Sequence, residues 1–309
     1  MRDLIKAGLV AIVLSLCLAA PVAAGPFEDA LEAARRGDHA TAFRLWRPLA
    51  DQGHAPAQYS LGVMYAEGRG VKQDYAEAVT WYRKAADQGL ATAQHNLGFM
   101  YDNGQGVTQD FAEAVKWYRK ATDQGYARAQ LNLGFMYENG QGVTQDFAEA
   151  VKWYRKAADQ GYARAQSNLG FMYDNGRGVK QDYAEAVTWY RKAADQGFAQ
   201  AQSNLGVMYG KGQGVPQDYA EAVTWYRKAA DQGLATAQYN LGVMYRDGQG
   251  VKQDYVQAHK WFNLSASRAS ADEKDVRDRA VKFRDLTAAQ MTPAQIAEAQ
   301  KLAREWKPK

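Results

Sequence analysis

An all-α solenoid is the fold class the sequence predicts, and three observations predict it. The string GRGVKQDYAEAVTWYRKAADQG at 68–89 returns unchanged at 176–197. Gly62, Gly98, Gly134, Gly170, Gly206 and Gly242 each fall in Leu-Gly-x-Met-Tyr, 36 residues apart. Inside each period, two stretches carry apolar residues at helical spacing and are parted by a pair of glycines. Six units therefore follow one another without gaps, at 54–89, 90–125, 126–161, 162–197, 198–233 and 234–269.

The first element is residues 1–24. Arg2 and Lys6 precede a mostly apolar run from Ala7 to Ala20, and Val22 and Ala24 place small residues where a signal peptidase reads. The expectation is a cleavable signal peptide, cut after Ala24, and a periplasmic or secreted product. The run is shorter than the roughly 20 residues that span a bilayer, so no membrane span is expected. Cys17 is the only cysteine and would leave with this segment, so stability must come from packing. Residues 25–53 form a degenerate unit, an N-terminal cap in which Leu45-Trp46 stands where later units have Trp-Tyr.

Unit two shows how one period folds. Leu90, Ala93, Leu97, Met100 and Tyr101 gather on one side of a first helix, helix A. Asn103-Gly104-Gln105-Gly106-Val107 makes a tight connection. Asp110 is an N-cap for helix B, Glu113 completes an Asp-x-x-Glu capping signature, and Gly125 stops the helix. On helix B, Phe111, Ala114, Val115, Tyr118 and Ala121 share a face, with Trp117 on its flank. So small a helix pair cannot bury its apolar stripe alone, and stacking on its neighbours solves that. The pattern decays after Trp261 into a charged helix at about 271–289. Thr292-Pro293-Ala294-Gln295 then opens a last helix, so that 270–309 forms a C-terminal helical cap.

The unit Ala-x-Ala-Gln-x-x-Leu-Gly-x-Met-Tyr-x-x-Gly-x-Gly-Val-x-Gln-Asp-Tyr-x-Glu-Ala-Val-x-Trp-Tyr-Arg-Lys-Ala-Ala-Asp-Gln-Gly resembles the Sel1-like repeat, an α/α relative of the tetratricopeptide repeat. The resemblance implies a right-handed α/α solenoid whose A helices line a concave face, and a scaffold that binds a protein or peptide. A secreted, cysteine-rich branch of the family is associated with penicillin binding and β-lactamase activity, which sets the alternative function. This chain lacks the paired cysteines of that branch.

Chemistry is sparse. Lys and Arg number 38 against 34 Asp and Glu, evenly spread, which gives no reason to expect nucleic acid. His39, His54, His95 and His259 occupy different columns of the repeat, without the close pairing of metal ligands, and read as surface histidines. The paired glycines lack the rest of a phosphate loop. No Ser/His/Asp or Cys/His set can be assembled, so neither catalysis, a metal nor a cofactor is expected. Trp81, Trp117, Trp153, Trp189 and Trp225 read as packing between units. The Arg-Lys pair of helix B reads as a solvated face.

Comparing the units isolates a candidate site. Units two and three differ at five positions, four of them in helix A, including Thr92/Arg128 and His95/Leu131. Thr92, His95, Phe99 and Asp102 are expected on the side of helix A away from its buried stripe. Asn96, Asn132, Asn168, Asn204 and Asn240 repeat a residue that costs roughly half a kcal/mol inside a helix. Phe99, Phe135 and Phe171 follow three residues later in three successive units. The expected partner-binding set is these Asn and Phe residues with His95, Arg128 and Arg164. The competing reading has the Asn bonded to a neighbouring helix and the Phe packed between units.

Overall fold

A computed structural model describes residues 25–308. The expected signal peptide, its cleavage point and Cys17 lie outside the described residues. Sixteen α-helices are described: α1 (Pro26–Arg35), α2 (His39–Asp51), α3 (Ala55–Glu67), α4 (Tyr75–Asp87), α5 (Ala91–Asn103), α6 (Phe111–Asp123), α7 (Ala127–Asn139), α8 (Phe147–Asp159), α9 (Ala163–Asn175), α10 (Tyr183–Asp195), α11 (Ala199–Lys211), α12 (Tyr219–Asp231), α13 (Ala235–Asp247), α14 (Tyr255–Arg268), α15 (Lys274–Ala288) and α16 (Pro293–Glu305). A short 3₁₀ turn at Ala271–Glu273 precedes α15. Odd-numbered α3 to α13 are the A helices and even-numbered α4 to α14 the B helices. From α1 to α15 each helix packs on the next in the chain, which is how a solenoid is built, and α16 folds back onto α14.

Each B helix is capped as the sequence requires, with variations. Asp110 accepts the Glu113 N–H at 2.9 Å. Glu113 does not return to Asp110, whose N–H is held by the Tyr101 carbonyl at 3.0 Å. Its carboxylate instead accepts the Trp117 indole N–H at 3.0 Å and the Lys116 ammonium at 2.8 Å. The last helix opens with a complete capping box between Thr292 and Gln295.

The glycine that marks the period has a steric cause. A Cβ on Gly134 would lie 2.7 Å from the Tyr154 ring, and on Gly98 2.8 Å from that of Tyr118. Glycine in a helix interior costs about 1 kcal/mol relative to Ala. Here it lets the B-helix tyrosine lie against the A-helix backbone, fully buried in the case of Tyr118, Tyr154 and Tyr190.

Contacts between units follow the same period. Trp117 completes a core made by Ala78, Val79, Tyr82, Ala85 and Ala86 of α4 with Ala93, Leu97 and Met100 of α5. Trp225 does the same for α10 and α11. Trp81, Trp117, Trp189 and Trp225 are buried and Trp153 is half-buried, in keeping with the packing role. The Arg-Lys pair is exposed in units two and five, as the solvated reading has it, and also makes contacts. Arg119 donates to the Tyr137 hydroxyl of the next unit at 2.8 Å, and Arg227 to Tyr245 at 2.7 Å. Lys120 stacks over the Trp117 ring, 3.8 Å from its centroid. The arginine stems reach across a unit boundary that periodicity within one helix does not reveal.

A glutamine ladder runs between the units. Gln94 is buried, donates to the Ala86 carbonyl at 3.2 Å and accepts from Gln124 at 2.8 Å. Gln130 accepts from Gln160, and Gln166 from Gln196, each at 2.8 Å. The Gln94 bond reaches a carbonyl at the C-terminal end of a B helix, where intrahelical donors run out, and the side-chain bonds tie that glutamine to the next B helix.

Candidate functional site

The A helices carry the candidate residues, and the structure divides them into three kinds. Phe99, Phe135 and Phe171 are 43%, 45% and 39% exposed, and with Leu286 they are the exposed large hydrophobic residues among those described. The matching positions are Val63, Val207 and Val243, so the exposed aromatic strip is confined to α5, α7 and α9. A cleft of about 250 Å³ lies across this strip, lined by Phe99, Asp102, Asn103, Leu131, Asn132, Phe135, Arg164 and Asn168.

The asparagines are half-buried, and four of the five have internal partners. Asn132 bonds the Tyr118 hydroxyl oxygen, Asn168 that of Tyr154 and Asn204 that of Tyr190. The same hydroxyls donate to carboxylates, Tyr154 to Glu138 at 2.6 Å and Tyr118 to Asp102 at 3.2 Å. Burial, together with the neighbouring carboxylate, holds these phenols well above their usual range. Burial also raises Asp102 and Asp174. Asn96 bonds Tyr82 and Tyr59. Asn240 stands at the matching place relative to Tyr226, where burial alone raises the phenol and no bond from Asn240 is seen. Asn96, Asn132, Asn168 and Asn204 thus join α5, α7, α9 and α11 to the preceding B helix, and the column's outer edge reaches the cleft at Asn132 and Asn168.

His95 lies elsewhere than expected. It is 9% exposed, with its ring centroid 5.8 Å from that of Tyr118 and 5.3 Å from that of Tyr126. On a helical wheel it points away from the stripe of Leu97 and Met100, and Tyr126 and Asn132 of the next unit cover that side. His259 is buried as well, at 3%, so two of the four histidines are not surface groups. His54 caps α3, accepting the Ala57 N–H at 3.3 Å.

His95 Nδ1 lies 3.1 Å from Asn96 Oδ1 and Nε2 lies 3.3 Å from Asn132 Nδ2. The pattern closes with the proton on Nδ1, donating to Asn96, while Nε2 accepts from Asn132. A second proton would turn Nε2 into a donor facing a donor. Burial and then Arg128 lower the His95 pKa, and burial and then Arg284 lower that of His259. The unfolded chain therefore takes up protons first, near the ordinary histidine value of about 6.5. Stability is complete above that pH and is lost as pH falls through the folded values. We expect the melting temperature to drop between about pH 7.5 and 5.5, and to drop less in His95→Leu, the residue unit three carries at Leu131. Melting curves at four pH values check this, and equal drops in both proteins would contradict it.

Arg128 and Arg164 are exposed and stand second in α7 and α9. Neither forms an ion pair with a carboxylate among the described residues. The helix macrodipole makes a cation in the first turn unfavourable by about 0.3–1 kcal/mol. The five A helices from α5 to α13 also begin without a side-chain cap, at Leu90, Tyr126, Tyr162, Phe198 and Leu234.

Among the described residues, no group of three or more His, Cys, Asp or Glu could hold a metal, and no helix is long and apolar enough to cross a membrane. The strip presents apolar rings, half-exposed amides and two arginines that form no ion pair among the described residues. Sequence reasoning missed the glutamine ladder and the contact of tyrosine with glycine. Gln94 and Gln124 recur every 36 residues as Gly98 and Tyr118 do, and joint recurrence was the available clue.

Comparison with known proteins agrees with this construction. The Sel1 repeat profile matches residues 32–54, 55–90, 91–126, 127–162, 163–198, 199–234 and 235–270. The crystal structure of a Sel1 repeat protein from Oxalobacter formigenes is 35% identical, covering 78% of this chain and 97% of that one, with a TM-score of 0.73. A protective antigen present in uropathogenic Escherichia coli strains, c5321, is 29% identical over 90% of this chain and 91% of its own, with a TM-score of 0.48. Yeast Tom70 shares the fold at 15% identity, over 89% of this chain and 58% of its own, with a TM-score of 0.51. No curated protein matches the chain. Sel1 repeat proteins are characteristically non-catalytic interaction scaffolds, and with seven matched repeats this chain belongs to the Sel1 repeat family.

Proposed function

We propose that this solenoid is an exported scaffold that holds a protein or peptide partner against α5, α7 and α9. The observation that carries the reading is the exposure of Phe99, Phe135 and Phe171, while the leucine and methionine columns of these helices are buried. Three large rings left in water at successive repeats lose the gain of burial three times over, and a partner that covers them recovers it. The amides of Asn132 and Asn168 border the same cleft. Export rests on the composition of residues 1–24 and places the partner in the periplasm or outside the cell.

Phe135→Ala with Phe171→Ala tests the reading. Truncating a packed Phe costs roughly 3–5 kcal/mol of folding free energy. For these exposed rings the double change should leave the melt within about 1 kcal/mol of the parent, as surface changes do. Recovery of the native partner by crosslinking should fall at least tenfold. Strong destabilisation with recovery intact would return the strip to the core.

A further inference from the structure

The N-terminal cap holds a buried donor in an unusual place. Trp46 of α2 is 5% exposed, and its indole N–H has no hydrogen-bond partner among the described residues. By the 36-residue period it stands where Tyr82, Tyr118, Tyr154 and Tyr190 stand in the following units. Each of those tyrosines turns its hydroxyl to an asparagine of the next A helix, Asn96 for Tyr82 and Asn132 for Tyr118. The matching residue for Trp46 is Ser60, whose hydroxyl donates instead to the Pro56 carbonyl at 2.9 Å.

The B-helix tryptophans differ in this respect. Trp117 and Trp225 donate to Glu113 and Glu221, four residues back, at 3.0 and 2.9 Å. Trp81, Trp153 and Trp189 also lack a bond, yet they carry Glu77, Glu149 and Glu185 at the same offset, so a side-chain rotation brings an acceptor within reach. Four residues before Trp46 stands Ala42, which offers none.

A recess of about 240 Å³ opens at this point, lined by Ala34, Trp46, Tyr59, Ser60, Val63 and Met64, with His39 and Arg69 beside them. Ser60 and Val63 are smaller than Asn96 and Phe99, which take the same positions one period on. An apolar cavity of about 150 Å³ takes benzene, so this recess has room for a ring with a short substituent. The aromatic side chains of Trp46 and Tyr59 suit offset or edge-on contact with another ring. Arg69 is paired with Glu67 at 2.7 Å, so the donor left to be met is the neutral indole.

From this geometry we infer that the recess is a binding site for a small aromatic carbonyl compound, with its ring against Trp46, Tyr59 and Met64 and its oxygen accepting the Trp46 indole N–H. A buried donor without a partner is costly, and such a ligand recovers that cost. The site is built from α1, α2 and α3, apart from the strip on α5, α7 and α9, and is independent of the groove reading.

Acetophenone and isopropylbenzene are matched in size and differ in the carbonyl oxygen. Titrated into the full chain, acetophenone should shift the Trp46 indole N–H resonance saturably, and isopropylbenzene should bind at least about fivefold more weakly. Ser60→Asn, which installs the residue of the following units, should fill the recess and abolish binding while the melt holds steady. Trp46→Phe places at this position the residue type of Phe262 and should bring the two probes to equal affinity by calorimetry. Absence of a saturable shift with acetophenone, equal binding of both probes to the parent chain, or undiminished binding in Ser60→Asn would each overturn the proposal.

Discussion

Gly142→Ala is expected to destabilise the protein by about 3 kcal/mol or more, while Gly140→Ala, two residues away, costs only about 1 kcal/mol. Both glycines have positive φ, 68° and 67°, so both substitutions incur the left-handed penalty of about 1–2 kcal/mol. They differ in what the new methyl meets. At Gly140 the nearest atoms are the Gln145 Cβ at 3.2 Å and N at 3.3 Å, a tight contact that a loop shift of a few tenths of an ångström relieves. At Gly142 the methyl would overlap the Phe111 carbonyl oxygen and lie 2.8 Å from the Ala112 nitrogen, backbone atoms of the preceding unit's B helix. Relief requires the two units to part, which opens the core beneath them. Urea unfolding of the two variants side by side reads the difference. Equal costs would mean that the loop does not seat on its neighbour.

Tyr154→Ala should cost about 3–5 kcal/mol, the range for deleting a large buried aromatic. Its ring is fully buried against Gly134, and its hydroxyl joins Asn168 to Glu138, so truncation leaves a cavity and two polar groups without their partner. Tyr154→Phe separates the terms. The cavity is absent, and the remaining loss is the orphaned carboxylate and amide, about 1–3 kcal/mol. The last unit shows how the chain avoids that loss, because there Phe262 replaces the tyrosine and Arg246 replaces the acid. Adding Glu138→Ala to Tyr154→Phe should therefore cost less than the sum of the single changes. Thermal unfolding of all four proteins closes the cycle, and strict additivity would show that the hydroxyl and the carboxylate are not coupled.

The fold was legible because one unit repeats. Helix lengths, the aspartate caps, the glycine stops and the tryptophan flank each follow from local pattern, and seven copies average out local ambiguity. Contacts that cross a unit boundary were not legible from one helix. His95 reads as outward on a helical wheel, yet a neighbouring helix covers it. Arg119 reads as solvated, yet it reaches Tyr137 eighteen residues on. Of the candidate site, the phenylalanine column is exposed as a contact surface requires. The asparagine column carries an internal bond that single-helix reasoning had offered only as the competing reading. A one-dimensional pattern gives the face of its own helix and leaves open what the next repeat places over it.

Removing one repeat at a time tests the division between scaffold and site most directly. α10 and α12 have the same sequence, so deleting 199–234 joins the C-terminal helices to a helix identical to the one they lose. Deleting 127–162 removes Arg128, Phe135 and one step of the strip. Circular dichroism with partner recovery should show both deletions as folded, shorter solenoids, with recovery kept in the first and lost in the second. Loss of helicity in both, or recovery lost on deleting 199–234 and kept on deleting 127–162, would contradict the account.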